Sequence, residues 1–328
     1  MTDNGGTVGV PVFNAGMRGH KTMLYDGGHR VPCFIRWPGG GLGAPRDIGE
    51  LTEAQDILPT LAELCDLKIP SGARIDGTSL AGVLRGTQPK LADRMLVVQY
   101  SRMGPQRPAH GDAAVLWKKW RLVHNELYDV AADPGQAQDV AGQHADVVAK
   151  LRDHYDRWWT EVEPTVNDFS AITVGSDAEN PTLLSPADWA DVFFDQSQQV
   201  REGLARNGHW NIQIDRRGDY VIHLRRWPVE AHLPIAAGDR PRPVADVPPD
   251  AGPPGGLIPG KALPIVRARL RLRETGGSAE HSAGVNATDE EVAFQLQLDP
   301  GRAELQTWFY DAQDKELCGA YYVYVERK

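Results

Sequence analysis

Apolar and polar positions follow different periods in the two halves of the chain. In the first half, short apolar runs stand between Gly-rich turns. Val31-Pro-Cys-Phe-Ile-Arg-Trp37 is one such run and reads as a short buried strand. Residues 56–65 predict a helix, with Ile57, Leu58, Leu61 and Leu64 on one face. Pro59 is tolerated only in a first turn, which puts the start near Asp56 as the capping residue. Residues 95–100, 114–117, 120–124 and 126–130 read as short strands. A helix follows over 146–161, where Val147, Val148, Leu151, Tyr155 and Trp158 recur at helical spacing.

From Trp210 the period becomes two. Residues 210–215, 220–225, 266–273, 292–298, 305–310 and 321–325 predict six strands separated by Gly and Asp-Pro turns. Such a series indicates a β-sandwich or jelly roll. The Pro- and Gly-rich residues 228–264 form a long irregular excursion within it. Ser185-Pro186 has the shape of a helix start. The polar stretch 167–181 divides the chain into domains 1–166 and 167–328.

Length and composition set outer bounds. A chain of 328 residues has room for two cores, and a formal net charge of −9 argues against nucleic acid as a general partner. No run of 18 apolar residues is present to span a membrane. Cys33, Cys65 and Cys318 are few and far apart, so they read as small buried hydrophobes rather than a disulfide framework or zinc site. Residues 1–20 have neither a basic segment nor an apolar one of the kind a signal peptide needs.

The candidate chemistry lies near the start. Asp3-Asn4-Gly5-Gly6 places a carboxylate beside an amide carbonyl on a turn, a pairing of hard donors suited to Ca²⁺ or Mg²⁺. The same four residues also suit a plain β-turn. Lys21 follows in a Gly-flanked stretch ahead of the Asp26-Gly-Gly turn, where an ammonium can clamp a tetrahedral anion.

Thr2-Asp-Asn-Gly-Gly6, then Gly16-Met-Arg-Gly-His-Lys-Thr-Met-Leu-Tyr-Asp-Gly-Gly-His-Arg-Val-Pro32, resembles the C-terminal half of the sulfatase (arylsulfatase-like) family. The D-I-L-P-T-L helix, Asp76-Gly-Thr-Ser-Leu80, and Trp117-Lys-Lys-Trp120 with Glu126-Leu-Tyr-Asp129 extend the likeness. The resemblance implies an α/β, alkaline-phosphatase-like fold with a small antiparallel subdomain. The β-rich half is similar to an extension carried by some bacterial sulfatases. By the same resemblance Asp3 and Asn4 are metal ligands, commonly for Ca²⁺, and Lys21 contacts the sulfate. His20 and Arg30 stand beside them as supporting or structural residues.

Family sulfatases act through a formylglycine made from a Cys/Ser-x-Pro-x-Arg motif, and no such motif occurs in these 328 residues. In the family an apolar strand precedes the Asp-Asn pair, whereas here only Met1 and Thr2 do. The chain is therefore expected to start in mid-fold, through a truncated gene or a late start, and to be inactive alone. The expected function of the complete protein is hydrolysis of a sulfate ester, on a small molecule or a sulfated glycan. Family members are often periplasmic or secreted. A phosphoryl or phosphonate ester hydrolase of the same superfamily is one alternative, and a non-enzymatic glycan-binding protein is another. Two features bear on the last. Arg267, Arg269, Arg271 and Arg273 share one side of a strand, either as a basic stripe for a sulfated glycan or as an outward face balanced by acidic neighbours. Tyr220, Tyr321, Tyr322 and Tyr324 either stack on sugars or pack, and His110 and His124 face substrate or solvent.

Overall fold

The computed structural model describes residues 1–100, 108–240 and 258–328. They form two compact units, the first ending at Asn167 and the second running from Asp168 to Lys328. Helices and several sheets are mixed in the chain, and strands pair antiparallel except for one parallel pair.

The first unit opens with loops, interrupted by the one-turn α1 (Asp26–His29). Then come α2 (Ile57–Leu64), α3 (Ala81–Arg85), β1 (Met95–Gln99), β2 (Ala113–Trp117), β3 (Trp120–Val123), β4 (Glu126–Asp129) and α4 (Ala145–Val162). The four strands make an antiparallel sheet in sequence order, with Leu116 opposite Leu96 and Leu122 opposite Leu127. Both faces are covered. On one, Val148, Leu151, Tyr155 and Trp159 of α4 pack on Val115, Leu122 and Leu127. On the other, Leu24 and Tyr25 pack with Leu96, Ala114, Leu116 and Tyr128. Leu24 thereby fastens the first loop cluster to the sheet, and burying such a side chain is worth about 1.5–3 kcal/mol.

Several expectations are corrected here. Residues 31–37 make no strand: Phe34 is 88% exposed, and Ile35 and Trp37 are also open to solvent. No strand of this unit lies beside them among the described residues, so their backbone finds no ladder and their side chains no sheet to cover. On α2, Leu58 and Leu61 face solvent while Thr60, Ala62 and Leu64 are buried. There Thr60 Oγ1 accepts the Leu80 N–H at 2.8 Å, so a polar anchor sets the helix's rotation. On α4 the buried indole is Trp159 rather than Trp158. Cys33 and Cys65 are exposed, and only Cys318 is buried.

The second unit holds ten strands among the described residues: β5 (Ile172–Val174), β6 (Thr182–Leu184), β7 (His209–Ile214), β8 (Gly218–Arg225), β9 (Arg267–Glu274), β10 (Gly277–Gly284), β11 (Val292–Leu298), β12 (Gly301–Tyr310), β13 (Glu316–Cys318) and β14 (Tyr322–Arg327). A short α5 (Ser197–Glu202) precedes β7, and Ser185-Pro186 opens a single 3₁₀ turn. One sheet runs β10-β9-β12-β7-β5 with β13 on β12, the other β11-β8-β14-β6. Inward residues of both, including Trp210, Ile212, Leu270 and Leu305 from the first and Ile222, Leu224, Val323 and Val325 from the second, form one apolar cluster. Trp189, Phe194 and Tyr321 are fully buried in it, and Tyr220 is 1% exposed, so neither tyrosine is a ligand platform. Of the excursion 228–264, residues 241–257 lie outside the described residues. Arg201 ties its described ends together, donating to Asp239 and the Arg240 carbonyl, each at 2.7 Å, and to the Ile258 carbonyl, while its own carbonyl accepts from the Lys261 N–H at 2.7 Å.

Candidate functional site

Three backbone hydrogen bonds gather the N-terminal loops of the first unit. The Gly5 N–H donates to the Gly28 carbonyl at 2.9 Å, the Lys21 N–H to Gly6 at 3.0 Å, and the Gly27 N–H to Arg18 at 2.8 Å. The glycines are required by this closeness. A Cβ on Gly5 would overlap the Gly27 carbonyl oxygen, and one on Gly28 would overlap that of Met23. The turn at residues 3–6 therefore lies alongside Lys21 and α1.

Side chains from the β-sheet hold the cluster from beneath. Asp26 is 1% exposed; its Oδ1 accepts from Arg121 Nε at 3.1 Å, and its own N–H donates to Gln136 Oε1 at 2.8 Å. Arg30 approaches Asp26 Oδ2 at 3.8 Å. Burial lowers the affinity of Arg121 for its proton, and the Asp26 carboxylate works against that. Burial also holds His29 below the ordinary histidine range, with Asp26 again opposing it, while Nε2 of His29 lies 3.1 Å from the Leu24 carbonyl.

Arg18 makes a second anchor. Its guanidinium lies 3.8 Å over the Tyr25 ring and donates to Tyr128 Oη at 3.0 Å and the Gln136 carbonyl at 2.9 Å. Tyr25 and Tyr128 both donate to Glu126 Oε2, at 3.1 and 2.6 Å. Burial, and then the bond to Glu126, pushes both phenols above the usual tyrosine range.

Each expected site residue has a definite place. Asp3 is exposed, and its Oδ2 accepts from Asn4 Nδ2 at 2.6 Å. Lys21 is exposed, and among the described residues its ammonium has no hydrogen-bond or ion-pair partner. His20 is exposed, with Nδ1 2.8 Å from the Lys21 carbonyl. Arg30 is exposed beside Asp26. A cleft of 1750 Å³ in this unit is lined by Asp3, Asp26, His29 and Arg30 together with Lys118, Lys119 and Arg121; Asn4, His20 and Lys21 are not on its wall. His110 pairs with Asp156 at 2.9 Å against Tyr155 and Trp159, and His124 lies 3.1 Å from the Gly111 carbonyl.

The hard oxygens of Asp3 and Asn4 suit a divalent cation chemically, but two donors are a fraction of the roughly 6–8 that Ca²⁺ takes. Among the described residues no group of three or more His, Cys, Asp or Glu side chains is placed to hold a metal ion. The anchors Arg18, Asp26, Arg121 and Gln136 escape a reading of the sequence, because each acts across about a hundred residues. The one clue to them is an aspartate in a Gly-Gly turn and an arginine inside an apolar strand.

Residues 18–160 match the family model "N-sulphoglucosamine sulphohydrolase, C-terminal". The N-acetylgalactosamine-6-O-sulfatase of Bacteroides thetaiotaomicron is 30% identical over 146 residues, covering 41% of this chain and 28% of the relative. Human arylsulfatase A is 31% identical over 149 residues, covering 38% and 29%. Murine steryl-sulfatase is 31% identical over 112 residues, covering 34% and 18%. The chain thus spans less than a third of the length of these relatives. Among solved structures, Ps i-CgsB in complex with k-i-k-neocarrahexaose is similar at 22% identity and a TM-score of 0.42, over 48% of this chain and 34% of that one. By the family match and these relatives, residues 18–160 are similar to the C-terminal region of the sulfatase family.

Proposed function

We propose that the first unit is the C-terminal part of an alkaline-phosphatase-like sulfatase domain, followed by an accessory β-sandwich, and that the complete protein hydrolyses a sulfate ester. The observation that carries this reading is the pair of backbone bonds from Lys21 to Gly6 and from Gly5 to Gly28. They tie the backbone of the turn that carries Asp3 and Asn4 to the backbone of Lys21 and α1. Asp3 and Asn4 are the residues that would hold a divalent cation, Ca²⁺ or Mg²⁺, whose chemistry is to polarise the sulfate oxygens.

Lys21 then neutralises charge on the bound anion, its main chain being tethered to Gly6 of the turn that follows Asp3 and Asn4. His20 orients the loop through the Lys21 carbonyl, and Arg30 supports the buried Asp26. No Cys/Ser-x-Pro-x-Arg sequence is present in these 328 residues, so they do not themselves supply the formylglycine nucleophile of this reaction. The substrate is a small sulfate ester or a sulfated glycan.

Extending the reading frame upstream of Met1 and assaying the longer protein on p-nitrophenyl sulfate and p-nitrophenyl phosphate tests the proposal. Sulfate turnover that falls at least a hundredfold, about 2.7 kcal/mol, in Lys21→Ala supports it. Preference for the phosphate ester, or full activity without Lys21, overturns it.

A further inference from the structure

The outward face of the β9–β12 sheet in the second unit is more organised than a solvated edge requires. On β9, Arg267, Arg269, Arg271 and Arg273 stand outward while Ala268, Leu270 and Leu272 are buried behind them. Across the ladder, β12 sets Tyr310 opposite Arg267, Trp308 opposite Arg269, Gln306 opposite Arg271 and Glu304 opposite Arg273. Arg302 continues the same outward row one step further.

The two aromatic rings form a floor under the cations. Trp308 and Tyr310 are only 6% and 7% exposed although they point outward. Arg269 lies 4.3 Å over Trp308, Arg271 lies 5.0 Å over the same ring, and Arg267 lies 4.4 Å over Tyr310. A guanidinium over a ring can still donate from its edge N–H groups. It has also already given up much of the roughly 2 kcal/mol of rotamer entropy that a free arginine loses on binding.

Carboxylates answer three of these arginines: Asp314 of the β12–β13 turn with Arg267 at 2.7 Å, Glu280 of β10 with Arg269 at 3.7 Å, and Glu304 of β12 with Arg273 at 2.9 Å. Such surface pairs are worth about 0–1 kcal/mol, so an arriving anion can take over the guanidinium at little cost. Arg271 bonds only the neutral amide of Gln306, and Arg302 has no carboxylate within ion-pair distance among the described residues. Alternate residues of a strand lie about 6.8 Å apart, so the four arginines of β9 extend over about 20 Å, the reach of an extended ligand.

We propose that this face binds a sulfated polysaccharide, with sulfate groups received by the guanidinium forks of Arg271, Arg302 and their neighbours. The fork geometry matches the oxygens of a tetrahedral anion, and Gln306, Ser278 and Ser282 offer hydrogen bonds to hydroxyls between sulfates. A nucleic acid fits less well. The rings are capped by arginine and offer no bare surface for a base to stack on. Binding here is separate from hydrolysis, so it stands or falls apart from the reading of the first unit.

The test is isothermal titration of the full chain with dextran sulfate, with unsulfated dextran of equal length, and with single-stranded DNA. The expected result is salt-sensitive binding of dextran sulfate alone. The double variant Arg271→Ala/Arg302→Ala should weaken it about tenfold or more, with an unchanged unfolding temperature. Arg271→Lys, which keeps the charge and loses the fork, should also weaken it, while Glu304→Gln tightens it. Failure of the wild-type chain to bind, equal binding of plain dextran, DNA bound as tightly, or indifference to the double variant would each overturn the proposal.

Discussion

Arg94 grips the buried carboxylate of Asp56 with both ends of its fork, Nη1 to Oδ1 at 2.8 Å and Nη2 to Oδ2 at 2.5 Å. The same carboxylate accepts the N–H of Thr78 at 2.7 Å and of Glu53 at 2.9 Å, so one fully buried side chain joins the start of α2, the 76–80 turn and the approach to β1. Removing it leaves Arg94, itself mostly buried, without its counter-charge. Asp56→Ala should therefore cost about 3–5 kcal/mol, read from urea unfolding followed by circular dichroism. A loss below about 1 kcal/mol would show that the unit does not depend on this junction.

The pH dependence of that stability has a worked direction. Burial alone pushes Asp56 up, but Arg94 and the two backbone N–H groups more than offset it and leave the carboxyl below its ordinary range. Its contribution is complete above the unfolded value of about 4 and is lost as pH falls through the lower folded value. His29 acts at higher pH. Burial disfavours its charged form in the folded chain, so below about pH 6.5 the unfolded chain gains a proton that the folded one takes up only later, and stability falls. Unfolding temperature recorded against pH should decline in two stages, the first reduced in His29→Gln, with His154 supplying the remainder, and the second reduced in Arg94→Met. A flat profile from neutral pH to about pH 5 would rule out the histidine stage.

How far the sequence reveals the fold depends on whether a residue's partner lies close along the chain. The β2–β3–β4 meander and β7, β8, β9, β11, β12 and β14 are legible because their burial alternates or their turns are short. β10, Gly277–Gly284, has mostly exposed residues and no apolar period, so nothing in it announces a strand; it exists because β9 offers a free edge. Residues 31–37 fail in the opposite sense, since their composition suits a strand and the unit supplies no neighbours for it. At the site, the Gly-rich turns and Lys21 are visible in the sequence. The dependence of their arrangement on Arg121, Gln136 and Tyr128 is not, because it comes from tertiary contacts.

Arg18 makes that dependence testable. Its contacts with Tyr25, Tyr128 and Gln136 pin the stretch leading to Lys21 against β4, and each bond from a charged donor is worth about 1.5–3 kcal/mol. Arg18→Ala should speed amide exchange of residues 18–28 by about tenfold or more while leaving α4 protected. Arg18→Lys should restore only part, since a point charge cannot bond two acceptors and stack at once. Equal exchange in the wild-type chain and Arg18→Ala would mean that the glycine backbone bonds suffice.

Asp3 and Asn4 allow the last prediction. Both lie near the surface and already touch one another, with Asn4 Nδ2 donating to Asp3 Oδ2, so a cation must draw the amide oxygen round and break that bond. With two side-chain donors against a shell of roughly 6–8, water must supply the rest, and affinity falls to the weak end of known calcium sites, about 10⁻³ M or poorer. Calorimetric titration of the chain with CaCl₂ should show such weak binding, abolished in Asp3→Ala and retained in Asp146→Ala, an exposed aspartate at the start of α4. Lys21→Ala, which removes one positive charge from the same cluster of loops, should tighten it slightly, a measurement independent of turnover. Tight binding indifferent to Asp3 would place the cation elsewhere. No response to Lys21→Ala would separate the ammonium from the metal, and with it the arrangement on which sulfate-ester chemistry at these loops depends.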